Sequence, residues 1–354
     1  MGEYPRLLID DKKIEENTRT VVELAQRQGI EVTGVTKASC GDPRIARAMI
    51  RGGVASIGES RVQNIMRLRS EGIDAEMLLL RTPMASEAGE VVEVADISLN
   101  SEMSVLGLLN AEAEKRGKVH KVVPMVEMGD LREGFPRDDI LQIVEPITNM
   151  KGLSLHGMGM NLACFGGVVP TDEKVEEFEE LVEDVENRIG MELEMISSGN
   201  SANIPLLTEG HAHGRTNNLR IGEGILLGLE TVNRTAIPGT HQDAFVLEAE
   251  IIEKKSKPSK PQGTVSQNAF GETPSFKDRG QMVRGIAAVG RQDAILEDLA
   301  PIDGGIEVLG GSSDHLLLDM DGSVKDVGDH VSFIPAYGAL VHLFTSAYVN
   351  KVHI

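Results

Sequence analysis

Eight short apolar runs alternate with helical runs through the first two-thirds of the chain, and no other feature restricts the fold as tightly. The apolar runs are VTGVTK at 32–37, VASIG at 54–58, EMLLLR at 76–81, DISLN at 96–100, KVVPMVEMG at 121–129, LSLHGMGM at 153–160, LEMISSG at 193–199 and NNLRIGEG at 217–224. Between them, IEENTRTVVELAQRQ at 14–28, RIARAMIRG at 44–52 and EKVEEFEELVEDVENRIG at 173–190 repeat apolar residues at helical spacing. Strand–helix alternation of this kind builds either an open doubly wound sheet or a (β/α)8 barrel. Eight units before the rhythm changes favour the TIM barrel, over residues 11–240.

The remainder, 241–354, lacks the alternation. FVLEAEIIEKK at 245–255 has strand character and runs into KPSKPQG, a loop signal. QMVRGIAAVG, GIEVLGGSS, HLLLDM, HVSFIPAYGALVHLF and SAYVNKVHI are short, β-like and separated by turns. A C-terminal β domain is expected, joined by the early strand RLLID at 6–10.

Composition narrows the function classes. The 354 residues suffice for two domains, and the formal net charge of −20 argues against a nucleic-acid backbone or an anionic membrane surface as partner. With no tryptophan, three tyrosines and eight phenylalanines, aliphatic residues and methionine must fill the core. Two cysteines, Cys40 and Cys164, make neither a disulfide framework nor a zinc cluster, and a reducing compartment fits them. The start, MGEYPRLLIDDKK, has no apolar signal core, and no apolar run approaches membrane-spanning length. A soluble cytoplasmic protein is the expectation.

In a (β/α)8 barrel, chemistry gathers where strands end. Strand one ends at Lys37, where a long cation leaves an apolar run. An amine crowded at a pocket mouth has a depressed pKa and can form a Schiff base; a solvated lysine is the plainer reading. Strand three ends at Arg81, strand five in EMGDLREG with Asp130 and Arg132, and strand six in GMGMNLACFGG with Asn161 and Cys164. Strand seven ends in SSGNSAN, and strand eight carries Arg220, Gly222 and Glu223. The small polar and glycine-rich turns after strands seven and eight suit phosphate oxygens, though each alone is also an ordinary tight turn. Together with the lysine and arginines they point to pyridoxal 5'-phosphate.

GVTKAS, EMGDLREGF, SSGNS, NLRIGEG, AVGRQD and SSDH, taken in order, resemble the alanine racemase family, and its ornithine racemase-like branch most closely. The resemblance spans nearly the whole chain. It implies a homodimer with shared active sites, and racemisation of a free amino acid, ornithine or another basic one, by loss and return of the Cα proton. It makes Lys37 the Schiff-base lysine and sets Arg132 near the cofactor's phenolic oxygen. It assigns Asn200 and Ser201 to the phosphate loop, Arg220 to the pyridine nitrogen, and Gly222, Glu223 and Tyr337 to the phosphate. A guanidinium stays protonated, so Arg220 leaves that nitrogen largely unprotonated and the ring a weaker electron sink.

Three positions depart from the family pattern. SCGD replaces the tyrosine after the lysine, Asn161 stands where a histidine flanks the ring, and Arg291 replaces the tyrosine that serves the opposite face. An arginine is a poor base at neutral pH. Unless one group swings between the faces, His315, Cys164, Asp314 and Tyr348 are the candidates for the second acid/base. Histidine titrates near neutrality, although a turn histidine bonded to a neighbour is an equally good reading of His315. Asp130, Glu133, Asp293 and Asp314 are candidates to attract a distal ammonium. A metal-dependent D-threonine aldolase-like lyase and a non-catalytic cofactor-binding protein share the fold. No metal site is expected: HAHG at 211–214 offers only two histidines, two apart in a loop.

Overall fold

A computed structural model describes residues 4–210 and 214–354, which form two compact units. The first unit, Asp11–Gln242, is a closed barrel of eight parallel strands: Glu31–Val35, Ser56–Glu59, Glu76–Leu79, Ile97–Asn100, His120–Glu127, Gly157–Met160, Met195–Ser197 and Asn218–Ile221. Strand eight pairs with strand one, Arg220 opposite Thr33, which closes the cylinder. The expected TIM barrel is what forms.

Local signals explain the elements. Asp42 caps the helix Pro43–Arg51 by accepting from the amides of Arg44 (2.8 Å) and Ile45 (3.1 Å), with proline in the first turn where no donor is needed. Thr171 caps Asp172–Ile189, and Gly190 ends it in the left-handed conformation at φ 71°. Val175, Phe178, Leu181, Val182 and Val185 form its buried stripe. Burying Phe178 completely contributes about 2 kcal/mol.

Methionines and glycines share the barrel interior. Leu78, Ile97, Leu99, Val123, Met125 and Met195 pack as one cluster, and the GMGM strand makes room for it. A Cβ at Gly159 would stand 2.7 Å from Met125 Sδ. Elsewhere the interior is polar: Thr33 bonds Ser56 (2.8 Å) and Asn218 (2.9 Å), and Asn218 accepts from Ser197 (2.6 Å).

In the second unit, Arg6–Ile9 lies between Phe245–Pro258, antiparallel, and Asn350–His353, parallel. Its alternating burial puts Leu7 and Ile9 inward. The sheet continues through Leu299–Pro301, His330–Pro335, Gln281–Ala287, Leu316–Asp319 and Glu307–Gly311.

Three sequence expectations need correction. LSLHGMGM is two strands, Leu153–Leu155 and Gly157–Met160, broken at His156. The lysine-rich run after Lys255 stays in the ladder to Pro258 because Gln281–Ala287 pairs with it. HVSFIPAYGALVHLF is a strand only to Pro335; Tyr337–Thr345 is a helix, since Ala339, Leu340, Leu343 and Phe344 recur at helical spacing.

Candidate active site

The carboxyl ends of the barrel strands gather an unusual density of cations. Lys37 opens a short 3-10 turn, Lys37–Ser39, directly after strand one. Its amine is open to solvent yet ringed by protein, and that crowding lowers its pKa. Arg132 pushes in the same direction, while Cys164, Glu133 and Glu59 oppose it. Residues from three other strand ends, those of strands two, five and six, therefore act on one amine.

Arg132 reaches from the loop after strand five. It holds Glu133 through two guanidinium nitrogens and donates Nη1 to Cys164 Sγ at 2.7 Å. The Cys164 loop is positioned by Asp130, buried, whose carboxylate accepts from the amides of Cys164, Phe165 (2.8 Å) and Val168 (3.2 Å). Burial pushes the Asp130 carboxyl up, but those amides together outweigh it and hold it below the ordinary range.

Arg220 is buried in the barrel wall. It donates to the carbonyls of Ser197 (3.1 Å) and Met160 (2.7 Å) and to the Ser197 hydroxyl. Burial, then the charge of Arg132, lowers its pKa to about 10, so it stays cationic at neutral pH. Among the described residues it has no carboxylate within ion-pair distance.

Asn161 lies between these cations with one acceptor to offer. Its Oδ1 takes Asn200 Nδ2 at 3.0 Å and makes a long contact with Arg220 Nη2 at 3.5 Å. Rotated, the same oxygen would lie 3.3 and 3.2 Å from the Arg132 Nη1 and Nη2 atoms. Either way one set of donors faces an NH2 group. Donors exceed acceptors here, as they do where an anion or a ring nitrogen belongs.

After strand seven, Asn200 caps the turn Ser201–Asn203: Oδ1 accepts from the Ala202 amide, and Asn203 Oδ1 accepts from the Asn200 amide. Its side chain is thus committed to loop shape. Ser201 Oγ accepts from the Gly224 amide at 3.1 Å, joining the loops after strands seven and eight. Ser198 Oγ and Asn203 Nδ2 are buried there without hydrogen-bond partners. Gly222 tolerates no Cβ without pressing Val35 at 3.1 Å, and Glu223 pairs with Arg234. Unpaired buried donors, two guanidinium groups and two joined small-residue loops form a donor set that fits a phosphorylated cofactor.

Arg81 pairs with Glu87 at 3.1 Å. His315, Asp314, Arg291, Asp293, Tyr337 and Tyr348 belong to the β unit. There His315 Nδ1 is 3.2 Å from Ser312 Oγ, and Asp314 accepts from Gln292 at 2.7 Å. Arg291 pairs with Glu297 at 2.6 Å and lies over the Phe270 ring. Asp293 is buried and accepts from Ser346 (2.7 Å) and the Gly290 amide (3.1 Å). Tyr337 opens the helix Tyr337–Thr345. His211 and His213 fall outside the described residues. Among the described residues, no group of three or more His, Cys, Asp or Glu converges to hold a metal.

Sequence reasoning missed Glu59, a fully buried carboxylate ending strand two. It accepts from Thr36 Oγ1 (3.0 Å), Asn64 Nδ2 (3.0 Å) and the Ser60 amide (2.9 Å), and burial raises its pKa. The signal was an acid closing an apolar strand beside the lysine strand.

Comparison with known proteins agrees with this geometry. Residues 9–229 match the model of the alanine racemase N-terminal domain. The chain is 41% identical over 352 residues to the lysine racemase of Thermotoga maritima, covering 99% of this chain and 98% of that one. It is 37% identical over 351 residues to the ornithine racemase of Acetoanaerobium sticklandii, covering 98% and 99%. The crystal structure of alanine racemase from Streptomyces lavendulae superposes with a TM-score of 0.77 at 17% identity, covering 100% of this chain and 98% of that one.

Proposed function

The chain belongs to the alanine racemase family, and from that premise we propose that it interconverts the enantiomers of a free basic amino acid, lysine or ornithine, with pyridoxal 5'-phosphate as cofactor. The observation that carries the cofactor reading is Arg220, a buried guanidinium with no carboxylate partner, set beside Arg132. Leaving a buried cation uncompensated is expensive unless the site is built for an electron-rich ligand.

When bound, the cofactor supplies an aldehyde that condenses with amines and a ring that accepts the electron pair of the Cα–H bond. Lys37 is the amine for that aldehyde and a proton carrier for one face of Cα. Its pKa is lowered, chiefly by burial, which favours the unprotonated amine that both roles need. Arg132 would hold the phenolic oxygen, Arg220 the ring nitrogen, and Asn161 the space between them. Asn200, Ser201, Gly222, Glu223 and Tyr337 would serve the phosphate.

For the opposite face, Cys164 is supported by its contact with Arg132 beside Lys37. His315 remains the alternative. Each of the acids weighed for the distal ammonium, Asp130, Glu133, Asp293 and Asp314, has both oxygens engaged by the protein, so the ammonium would displace a partner at whichever one receives it. A cytoplasmic homodimer completes the proposal.

The test is a chiral assay of cofactor-loaded protein with L-lysine, L-ornithine, L-alanine and L-serine in parallel. D-lysine or D-ornithine should form, and Lys37→Ala should abolish it. Turnover of alanine or serine alone would overturn the substrate assignment.

A further inference from the structure

The opposite end of the barrel holds a second cavity. It has a volume of ≈ 360 Å³ and lies where the strands begin, lined by Glu31, Glu76, Lys121, His156, Glu194 and the Asn217–Asn218 pair among others. This end of a TIM barrel is ordinarily a stability face. Here it is built differently, from three carboxylates, one lysine and an imidazole.

His156 decides the reading. It interrupts the two strand segments at Leu153–Leu155 and Gly157–Met160, and its backbone is tied on both sides: its amide donates to Val122 O (3.0 Å), and its carbonyl accepts from the Met195 amide (3.0 Å). The main chain at His156 is therefore held in place. The residue is only 7% exposed, and its Nδ1 is buried with no hydrogen-bond partner. Glu194 Oε2 is 3.5 Å away but out of hydrogen-bond geometry. A buried polar nitrogen left bare destabilises the fold unless something else fills its lone pair or takes its proton.

Charge states what that something is. Lys121 is already paired with Glu76 at 3.2 Å, so Glu31 and Glu194 remain as uncompensated negative charge around the cavity. Burial, and then Lys121, holds the His156 pKa down, which favours the neutral ring, whose one bare nitrogen can accept. An anion is disfavoured by this charge balance. The lining groups also do not converge as a metal-ligand set.

We propose that this cavity binds a small organic ammonium ion, whose N–H donates to His156 Nδ1 and whose charge is met by Glu31 and Glu194. The site is separate from the lysine end of the barrel and does not depend on the racemase reading.

The probe is N,N,N′,N′-tetramethyl-1,5-diaminopentane, a diammonium ion with an N–H at each end and no primary amine to form an imine. Calorimetry on the full-length, cofactor-loaded protein should show binding that Lys37→Ala retains. Glu194→Gln and Glu31→Gln, both at solvent-facing positions, should each weaken it roughly tenfold or more. His156→Leu should weaken it too, and the two glutamate variants keep the test valid if that protein is unstable. No binding up to millimolar probe, or binding indifferent to both glutamates, would overturn the proposal. Manganese bound in place of the diamine and lost in the same variants would overturn it as well, in favour of a divalent cation.

Discussion

Nη1 of Arg132 donates to Sγ of Cys164 across 2.7 Å, joining the loops after barrel strands five and six in front of Lys37. The two residues are 32 positions apart in the chain. The contact gives the site a cationic donor and a sulfur beside the Lys37 amine.

If Cys164 carries the proton on the face opposite Lys37, Cys164→Ala should slow interconversion about 10²-fold or more in both directions. Exchange of the Cα proton with deuterated water should nevertheless persist for one enantiomer, because Lys37 still serves its own face. An unchanged kcat would shift the role to His315, where His315→Gln would then be the disabling change.

Glu59 acts on Lys37 through charge, raising the amine's pKa against the lowering by burial. Replacing it with neutral glutamine removes that opposition. Glu59→Gln should therefore shift the pH midpoint for reaction of Lys37 with pyridoxal 5'-phosphate to lower pH, read from the rate of reconstitution of the cofactor-free protein. A midpoint that stays put or rises would refute the charge coupling.

His120 is buried, bonds Ser98 Oγ at 2.9 Å, and burial pulls its pKa from 6.5 to about 4. The unfolded chain thus takes up a proton before the folded one does. Stability tied to the neutral ring is complete above pH 6.5 and falls between 6.5 and 4, by about 3 kcal/mol in all. His120→Gln, which cannot titrate, should lose correspondingly less on acidification. Urea midpoints at neutral and mildly acidic pH for both proteins measure this, and parallel curves would contradict it.

Gly157 and Met195 face each other across strands six and seven. A Cβ on Gly157 would lie 2.8 Å from both the carbonyl carbon and the Cβ of Met195 and would run into its carbonyl oxygen. Backbone on both sides leaves little freedom to yield. Gly157→Ala should destabilise the protein by about 3 kcal/mol, visible as a lower urea midpoint at unchanged slope. Wild-type stability in that variant would show that the strands can separate locally.

Periodicity favoured the barrel over the open doubly wound sheet: apolar runs and helical stripes report which face of each segment is buried, and eight alternations have few ways to hide those faces. It also located the strand ends at which Lys37, Arg132, Asn161, Cys164 and Arg220 stand. Where two periodicities can be confused, as in HVSFIPAYGALVHLF, the reading failed, because a short apolar run does not distinguish a strand from a buried helix until its neighbours are known. Closure of the barrel decided the rest. It brought Arg132 to Cys164, put buried Glu59 within electrostatic reach of Lys37, left Arg220 without a carboxylate, and enclosed His156 among glutamates at the far end. Those relationships are distances between residues remote in the chain. Burial and charge at each group depend on the whole set of neighbours, and no local pattern in the sequence encodes them.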